Sequence, residues 1–505
     1  SVGFSKFTKV GFMLLTNISH AIFVISASLL AMYGLNMLML TAFFVRRYRV
    51  KPVAHFPEKW PDVTVQLPVF NEIQVVRRLI HAVANLDYPI ESLSIQVLDD
   101  STDETTDVVK KLVASYKEKG LNIECYHRFD RVGNKAGALA RGLLQAKGEF
   151  IAIFDADFVP PPNYLKKTIP YFVFRKVGMV QTRWGHLNAL DNPLTRAQAI
   201  ALDGHLVVEQ VARSRNNLCF NFNGSSGIWR KACIVSSGGW QSDTIAEDLD
   251  LSYRAQMAGW EFRYVSDVIS PAEIPGGIHA FKRQQFRWVK GSVQCLLKHA
   301  IRLVGFTEFS IWKRIQAIMH LGGYLMHPMM LCFLVFSIPC MLYTNVNNVL
   351  PQWLGIAGLG PPVLYAIAQV TAYRKGLTRF IWFPVLMLLG LGVAVNNTRA
   401  VFEAIFRYKP NEFLRTPKNS GLSVSIYDLY ANKNDKIVWL EFFFAVYAGA
   451  SFLLSTQRIP ALAPFLALFA LGFVLVGLTG LLETNRASRF VETWKSEPAI
   501  LDQDM

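Results

Sequence analysis

Cysteine is scarce in this sequence. There are six in 505 residues, with no close pairs and no histidine partners at zinc spacing, so neither a disulfide framework nor a zinc site is indicated, and a reducing cytosol fits. No GxGxxG and no GxxxxGK[ST] follows a candidate strand, which removes support for dinucleotide and P-loop readings. Acidic residues are short as well, 37 against 52 Lys and Arg, for a formal net charge of +15. An excess of this size could mark a nucleic-acid binder. The positives, however, cluster beside apolar runs, as "RRYRVK" at 46–51, "KHAIR" at 298–302 and "YRKGLTR" at 373–379. That pattern suits the cytoplasmic flanks of membrane helices on anionic lipid better than it suits nucleic acid.

What is abundant is apolar. Hydrophobic residues make up 52% of the chain and the mean hydropathy is +0.25, high enough that membrane segments are expected among two to four domains. The run from about Ile22 to Phe44 is too long for a signal-peptide core and has no small-residue cleavage site before "RRYR", so it reads as an anchor. A start at Ser1 is expected to reflect processing or trimming. Further apolar runs lie at about 325–343, 353–373, 380–398, 437–457 and 461–482. Counting basic flanks places 50–310 in the cytosol and predicts five full crossings. Residues 380–407 then lie in the interface or re-enter, because a crossing there would put "RYKPNEFLRTPK" outside.

Between 50 and 310 the character changes. "DVTVQLPVF", "LSIQVLDDS" and "GEFIAIFDADF" are short β-branched runs ending in polar residues, separated by helix-like stretches. This alternation predicts βαβ units and a parallel sheet, with ligands bound beyond the carboxyl ends of the strands. Those ends carry Asn71 and Glu72, Asp99 and Asp100, and Asp155 and Asp157. Hard carboxylate oxygens at 155 and 157 suit Mg²⁺ or Mn²⁺ held largely through phosphates, although a D-x-D is equally a solvated turn. "DDST" either caps a helix starting near Glu104, through Ser101 or Thr102, or hydrogen-bonds a base or ribose. Glu247, Asp248 and Asp250 open a helix, which dipole chemistry alone favours and which also suits a general base. Asp250 and Arg254 form an i,i+4 pair, marking Asp250 as structural. "FNFNGSSGIWR" at 220–230 is a polar loop whose amides and aromatics could also face a sugar.

The order "PVFNE", "DDS", "KAGAL", "DAD", "FNGSSG", "AED", "QQFRW" resembles the family 2 membrane glycosyltransferases: cellulose, hyaluronan and chitin synthases, and most closely the cellulose synthase-like mannan synthases of plants. The likeness covers about residues 60–295. It implies a GT-A α/β domain, with a mixed and mostly parallel sheet, inserted between transmembrane helices. The implied division is an anchor at 1–50, the cytosolic GT-A domain at 51–310, interface helices and two spans at 311–408, a gating loop at 409–436, a transmembrane hairpin at 437–483 and a cytosolic tail at 484–505. No regulatory domain is expected after the last span.

The resemblance also implies roles. Pro68, Asn71, Glu72, Asp99, Asp100, Lys135, Asp155, Gln284 and Arg287 would bind the nucleotide. Asp155 and Asp157 would hold Mg²⁺ or Mn²⁺. Asp248 would be the general base with Glu247 beside it, and Ala246 stands where the family has Thr. Asn223, Gly224, Ser225 and Trp288 would meet the acceptor. Phe413 and Thr416 match the gating loop, with Arg415 replacing the usual Val. The expected enzyme is an inverting, metal-dependent hexosyltransferase using UDP-glucose or GDP-mannose. It would either build and translocate a β-glycan or transfer one sugar to ceramide, diacylglycerol or a polyprenyl phosphate. A catalytically dead scaffold would need a lost acid, and none is lost. The expected partners are the nucleotide sugar, a glycan or lipid acceptor and the bilayer, with no nucleic acid; the plasma, inner or Golgi membrane would house it.

Overall fold

Val63–Val69 (β1), Leu93–Asp99 (β2), Ile123–His127 (β3) and Phe150–Ile153 (β4) pair in parallel. Their apolar residues are covered on both sides, which is why they read as near-continuous hydrophobic runs rather than alternating ones. Two pairs of polar side chains meet inside the sheet. The Gln66 Nε2 donates to Gln96 Oε1 at 2.9 Å, and Thr64 Oγ1 meets Ser94 Oγ at 2.9 Å. The structure is a computed structural model and describes residues 2–343, 354–406 and 437–496.

Three more strands extend the sheet: Val177–His186 (β5), Gly227–Arg230 (β6) and Glu261–Ala272 (β7), in the order β3-β2-β1-β4-β6-β5-β7. β6 runs antiparallel to both β4 and β5, giving the expected mixed, mostly parallel sheet. This reversal matters for function. Gly227 opens β6 opposite Ile153 at the end of β4, so the loop before it, 219–226, folds over the carboxyl end of β4 beside Asp155.

Among the described residues, five helices are long and apolar enough to cross a membrane: Thr16–Arg47, Gly323–Tyr343, Gly355–Ala372, Ile437–Arg458 and Pro460–Arg486. Small residues let them approach closely, as is common between membrane helices; Gly360 lies against the Gly34 carbonyl with no room for a Cβ. A further pair, Gly376–Gly392 and Ala394–Phe406, is bent by 43° at its junction, within the stretch expected to be interfacial or re-entrant. Leu40, Phe44, Leu364 and Ala368 of the membrane helices share one buried cluster with Val207, Val208, Val211 and Ile151. The α/β domain is therefore packed onto these helices rather than tethered to them.

One local expectation, the helix cap, needs correction. The helix after β2 runs Thr105–Glu118 and neither Ser101 nor Thr102 caps it. Asp103 Oδ1 accepts from the Thr105 N–H at 3.0 Å instead. The gating-loop residues Phe413, Arg415 and Thr416 lie outside the described residues.

Candidate active site

A cleft of about 230 Å³ opens beyond the carboxyl ends of β1, β2 and β4, where a sheet of this kind binds ligands. Pro68, Glu72, Asp100, Lys135, Asp155, Asp157, Asn223, Gly224, Glu247, Asp248, Gln284, Arg287 and Trp288 all line it. Thirteen residues spread over some 220 positions of sequence thus reach one space.

Three expected residues do not line it. Asp99 is fully buried; its carboxylate accepts from Ser101 N–H (3.0 Å) and Thr106 Oγ1 (2.7 Å) and meets His127 Nδ1 (2.8 Å). It braces the end of β2 rather than offering an oxygen to a ligand. Asn71 uses its side chain on Thr102, accepting from the backbone N–H at 2.8 Å. Ser225 is fully buried, and its Oγ accepts from the Asp155 N–H at 2.9 Å. It positions Asp155 from behind.

At the centre, Lys135 Nζ lies 2.5 Å from Asp155 Oδ1 and 3.9 Å from Glu247 Oε1, and donates to the Gly224 carbonyl at 2.8 Å. Burial works against the Lys135 charge, but Asp155, Glu247 and Asp248 together hold its pKa above the usual value. Glu247 and Asp248 start the Glu247–Met257 helix. Burial pushes Asp248 above the ordinary aspartate value, against the pull of Lys135. Glu247 is pushed up to about 7, by burial first and by neighbouring Asp248 second. Two adjacent carboxylates and one ammonium in a sheltered pocket behave this way because like charges resist joint ionisation. Burial also works against the Arg287 guanidinium, while Asp155, Glu247, Asp248 and Glu72 oppose that loss.

The next acid in the same helix behaves oppositely. Asp250 is buried, yet it bonds Arg254 Nε, Lys298 Nζ and His299 Nε2, each at 2.8 Å. Burial alone would raise its pKa; these partners hold it at about 2. It is the structural member of the group, as the i,i+4 spacing indicates.

Backbone geometry is unusual around the cleft. Asn71, Arg131, Asn134 and Ser226 all have positive φ, a conformation that costs energy outside glycine and gathers at functional sites. Gly224, at φ +83°, faces the acid; a Cβ there would stand 2.9 Å from Asp248 Oδ2. On the other side, the helix carrying Gln284–Trp288 passes so close to the start of the Asp248 helix that a Cβ on Gly291 would meet the Ala246 Cβ at 2.7 Å.

Asp155 is 36% exposed to the cleft with one oxygen committed to Lys135. Asp157 is buried and accepts from the Glu273 N–H at 3.2 Å. Among the described residues, no group of three or more His, Cys, Asp or Glu surrounds a single point. Such a donor set fits a hard cation that arrives with phosphate and water as most of its ligands.

Several lining residues escaped the sequence reading. Arg131 lies over the Phe70 ring at 3.4 Å from its centroid. Trp184 Nε1 donates to the Ser225 carbonyl at 3.1 Å, and His186 meets Asp203 at 3.3 Å with both side chains nearly inaccessible. A signal was present: "QTRWGH" ends a strand on aromatic and polar residues, as β1, β2 and β4 end on polar ones.

An α/β domain with an acid-rich, cation-rich cleft at the strand ends, packed on apolar helices, defines a membrane-associated nucleotide-sugar transferase of the GT-A type. The profile described as "Glycosyltransferase like family 2" matches residues 61–291. "Glucomannan 4-beta-mannosyltransferase 2" of Arabidopsis thaliana is 34% identical over 395 residues, spanning 75% of this chain and 72% of that protein. "Glucomannan 4-beta-mannosyltransferase 1" of Oryza sativa subsp. japonica is 34% identical over 390 residues, 74% and 73% respectively. The chain belongs to the family 2 glycosyltransferases, in the cellulose synthase-like branch that holds these enzymes, and it is a multi-pass membrane protein. Among solved structures, the "Mannosyltransferase PcManGT from Pyrobaculum calidifontis in complex with GDP-Man and Mn2+" shares the fold. Its TM-score is 0.52 at 20% identity, covering 77% of this chain and all of that one.

Proposed function

We propose that the chain is a processive synthase of a β-linked, mannose-containing glycan, using GDP-mannose, with its catalytic domain in the cytosol. The observation that carries this reading is the meeting of Asp248, the Lys135–Asp155 pair, Arg287 and Trp288 in one cleft, in a chain one-third identical to glucomannan 4-beta-mannosyltransferases over most of its length. That kinship favours GDP-mannose over UDP-glucose.

Asp248 takes the proton of an acceptor hydroxyl; the hydroxyl oxygen bonds to the anomeric carbon as the bond from that carbon to the diphosphate oxygen breaks, and the electron pair leaves with the nucleoside diphosphate. A single displacement inverts the anomer, so an α-linked donor gives a β-linkage. A carboxylate whose pKa is raised by burial is a stronger base than a solvated one, which suits this task. Lys135 and Arg287 face the growing negative charge, and preorganised cations in a sheltered cleft act there most strongly. Asp155 and Asp157 would hold Mg²⁺ or Mn²⁺, which supplies further charge neutralisation when bound with the diphosphate. Trp288 offers an apolar ring face to the acceptor sugar.

Polar groups continuing from the cleft towards the spans support translocation. His205 Nε2 is 3.4 Å from Asn223 Oδ1, and its Nδ1 is 2.9 Å from Glu209. Deeper, Tyr324 stacks on His327, which meets Asn397 at 3.0 Å. His205 and Glu209 lie on the π-helical segment Gly204–Glu209, a distortion common at functional sites.

The test is product analysis of purified protein in detergent, with Mg²⁺ or Mn²⁺ and with GDP-[³H]mannose and UDP-[³H]glucose in parallel. Label in an insoluble, mannanase-sensitive polymer is expected from GDP-mannose. Label confined to an organic-extractable lipid would replace this reading with single transfer to a lipid acceptor.

A further inference from the structure

The helix Ile278–Gly305 carries Gln284, Arg287 and Trp288, and the residue before it, Gly277, gives it no side-chain cap. The cap comes from elsewhere. The N–H groups of Ile278 and His279 donate to the two carboxylate oxygens of Glu483, at 2.7 and 3.2 Å. Glu483 lies at the end of the last membrane helix, Pro460–Arg486. Open N–H donors and the positive end of the helix dipole both favour a carboxylate there. Gly277 leaves the necessary room, since a Cβ would come 3.1 Å from the Glu483 carboxylate.

The grip has further points. His279 Nε2 lies 3.0 Å from the Gly480 carbonyl and 3.1 Å from Thr484 Oγ1. Lys282 Nζ is 2.7 Å from Glu441 of the Ile437–Arg458 span, with both side chains buried. The Lys282 carbonyl also accepts from Asn396 Nδ2 at 3.0 Å. Three separate membrane elements thus hold one helical turn.

We propose that Glu483 is a positioning residue for sugar transfer. Through the first turn of this helix it sets where Arg287 and Trp288 stand relative to Asp248, and the Lys282–Glu441 pair holds the helix's rotation. The lever is long. Trp288 is ten residues beyond Ile278, about 15 Å along the axis at 1.5 Å per residue. A small tilt at the capped end therefore becomes a displacement on the order of an ångström at the ring, and misplacement of that size costs about 10²-fold in rate. The inference rests on the proposed site, but not on which sugar is transferred or to what acceptor.

The experiment compares full-length wild type, Glu483→Ala and Glu483→Gln in detergent or nanodiscs, with rates expressed per folded molecule. In Glu483→Ala, kcat is expected to fall about ten- to a hundredfold, with the KM for the nucleotide sugar moving less, because Asp100, Lys135 and Asp155 hold the donor from other elements and the contribution of Arg287 is greatest on the charge that grows during transfer. Glu483→Gln keeps one acceptor oxygen and is expected to recover part of the loss. If thermal stability falls while kcat per folded molecule stays within about twofold of wild type, Glu483 is only a structural tie and the proposal fails. A change confined to KM overturns it equally. Should Glu483→Ala not accumulate as folded protein, Glu483→Gln against wild type decides by the same criteria. Rates are read on whichever acceptor the wild type uses, so a lipid-only product would sink the polymer reading and leave this comparison intact.

Discussion

Adding one methyl group at Gly224 tests the geometry of the base directly. In Gly224→Ala, the new Cβ would stand 2.9 Å from Asp248 Oδ2 and 3.5 Å from Lys135 Nζ, at a residue whose φ is +83°. Two costs follow. A non-glycine residue in this region of backbone space costs about 1–2 kcal/mol, which appears as lost stability. The contact below 3.0 Å is relieved only if the Asp248 carboxylate or the 219–226 loop gives way, and a shift on the order of 1 Å at a reacting group costs about 10²-fold in rate. The assay pairs radiolabelled sugar incorporation with thermal unfolding followed by tryptophan fluorescence. The expected result is a loss of kcat of about 10–10²-fold with a modest fall in stability. A variant with wild-type kcat would refute the placement of the carboxylate against Gly224, and with it the reading of Asp248 as the base.

Other outcomes follow from the same geometry. Asp248→Asn removes the proton acceptor and is expected to lower kcat about 10²–10⁴-fold without loss of folded yield; sugar incorporation by the detergent-purified variant checks it. Because burial raises the Asp248 pKa and a base works only when deprotonated, the acid limb of the kcat profile is expected at a pH above that of an ordinary aspartate. A limb at or below the ordinary value contradicts this. Asp250→Ala removes the carboxylate partner of Arg254 and His299 in a largely buried site, while Lys298 keeps Asp243, and is expected to cost about 3–5 kcal/mol of stability. The Asp250 pKa is depressed, so its contribution is present above the unfolded-state value near 3.8 and fades as pH falls towards about 2. Chelation with EDTA is expected to abolish transfer, and Mn²⁺ or Mg²⁺ to restore it.

The parts legible in the sequence are those with local signatures. Strand ends rich in acids pointed to the rim where the cleft lies, and the apolar runs located the five long helices. Asp99 and Asp100 show where local reading stops. They are neighbours in one motif, and both are buried; Asp100, just past the end of β2, borders the cleft with its carboxylate held by Arg128, while Asp99 is turned away against Thr106 and His127. No spacing rule distinguishes them without the sheet in place. Ser225 is similar, since its role behind Asp155 depends on the antiparallel β6. The Glu483 cap joins segments 205 positions apart, and a lone glutamate near the end of an apolar helix gives no hint of its partner.

Gly291 carries no functional group, yet its closeness to Ala246 has a consequence for reading variation. The two positions share the space of a single side chain, so neither can be enlarged alone without parting the helix that begins at Glu247 from the helix that bears Trp288. A substitution scan made one residue at a time would score Gly291 as severely as Asp248 and invite the conclusion that it does chemistry. Sequences that drift at one of these sites are free to do so only in step with the other. Ala246 is then half of a matched pair whose other half lies forty-five residues further on.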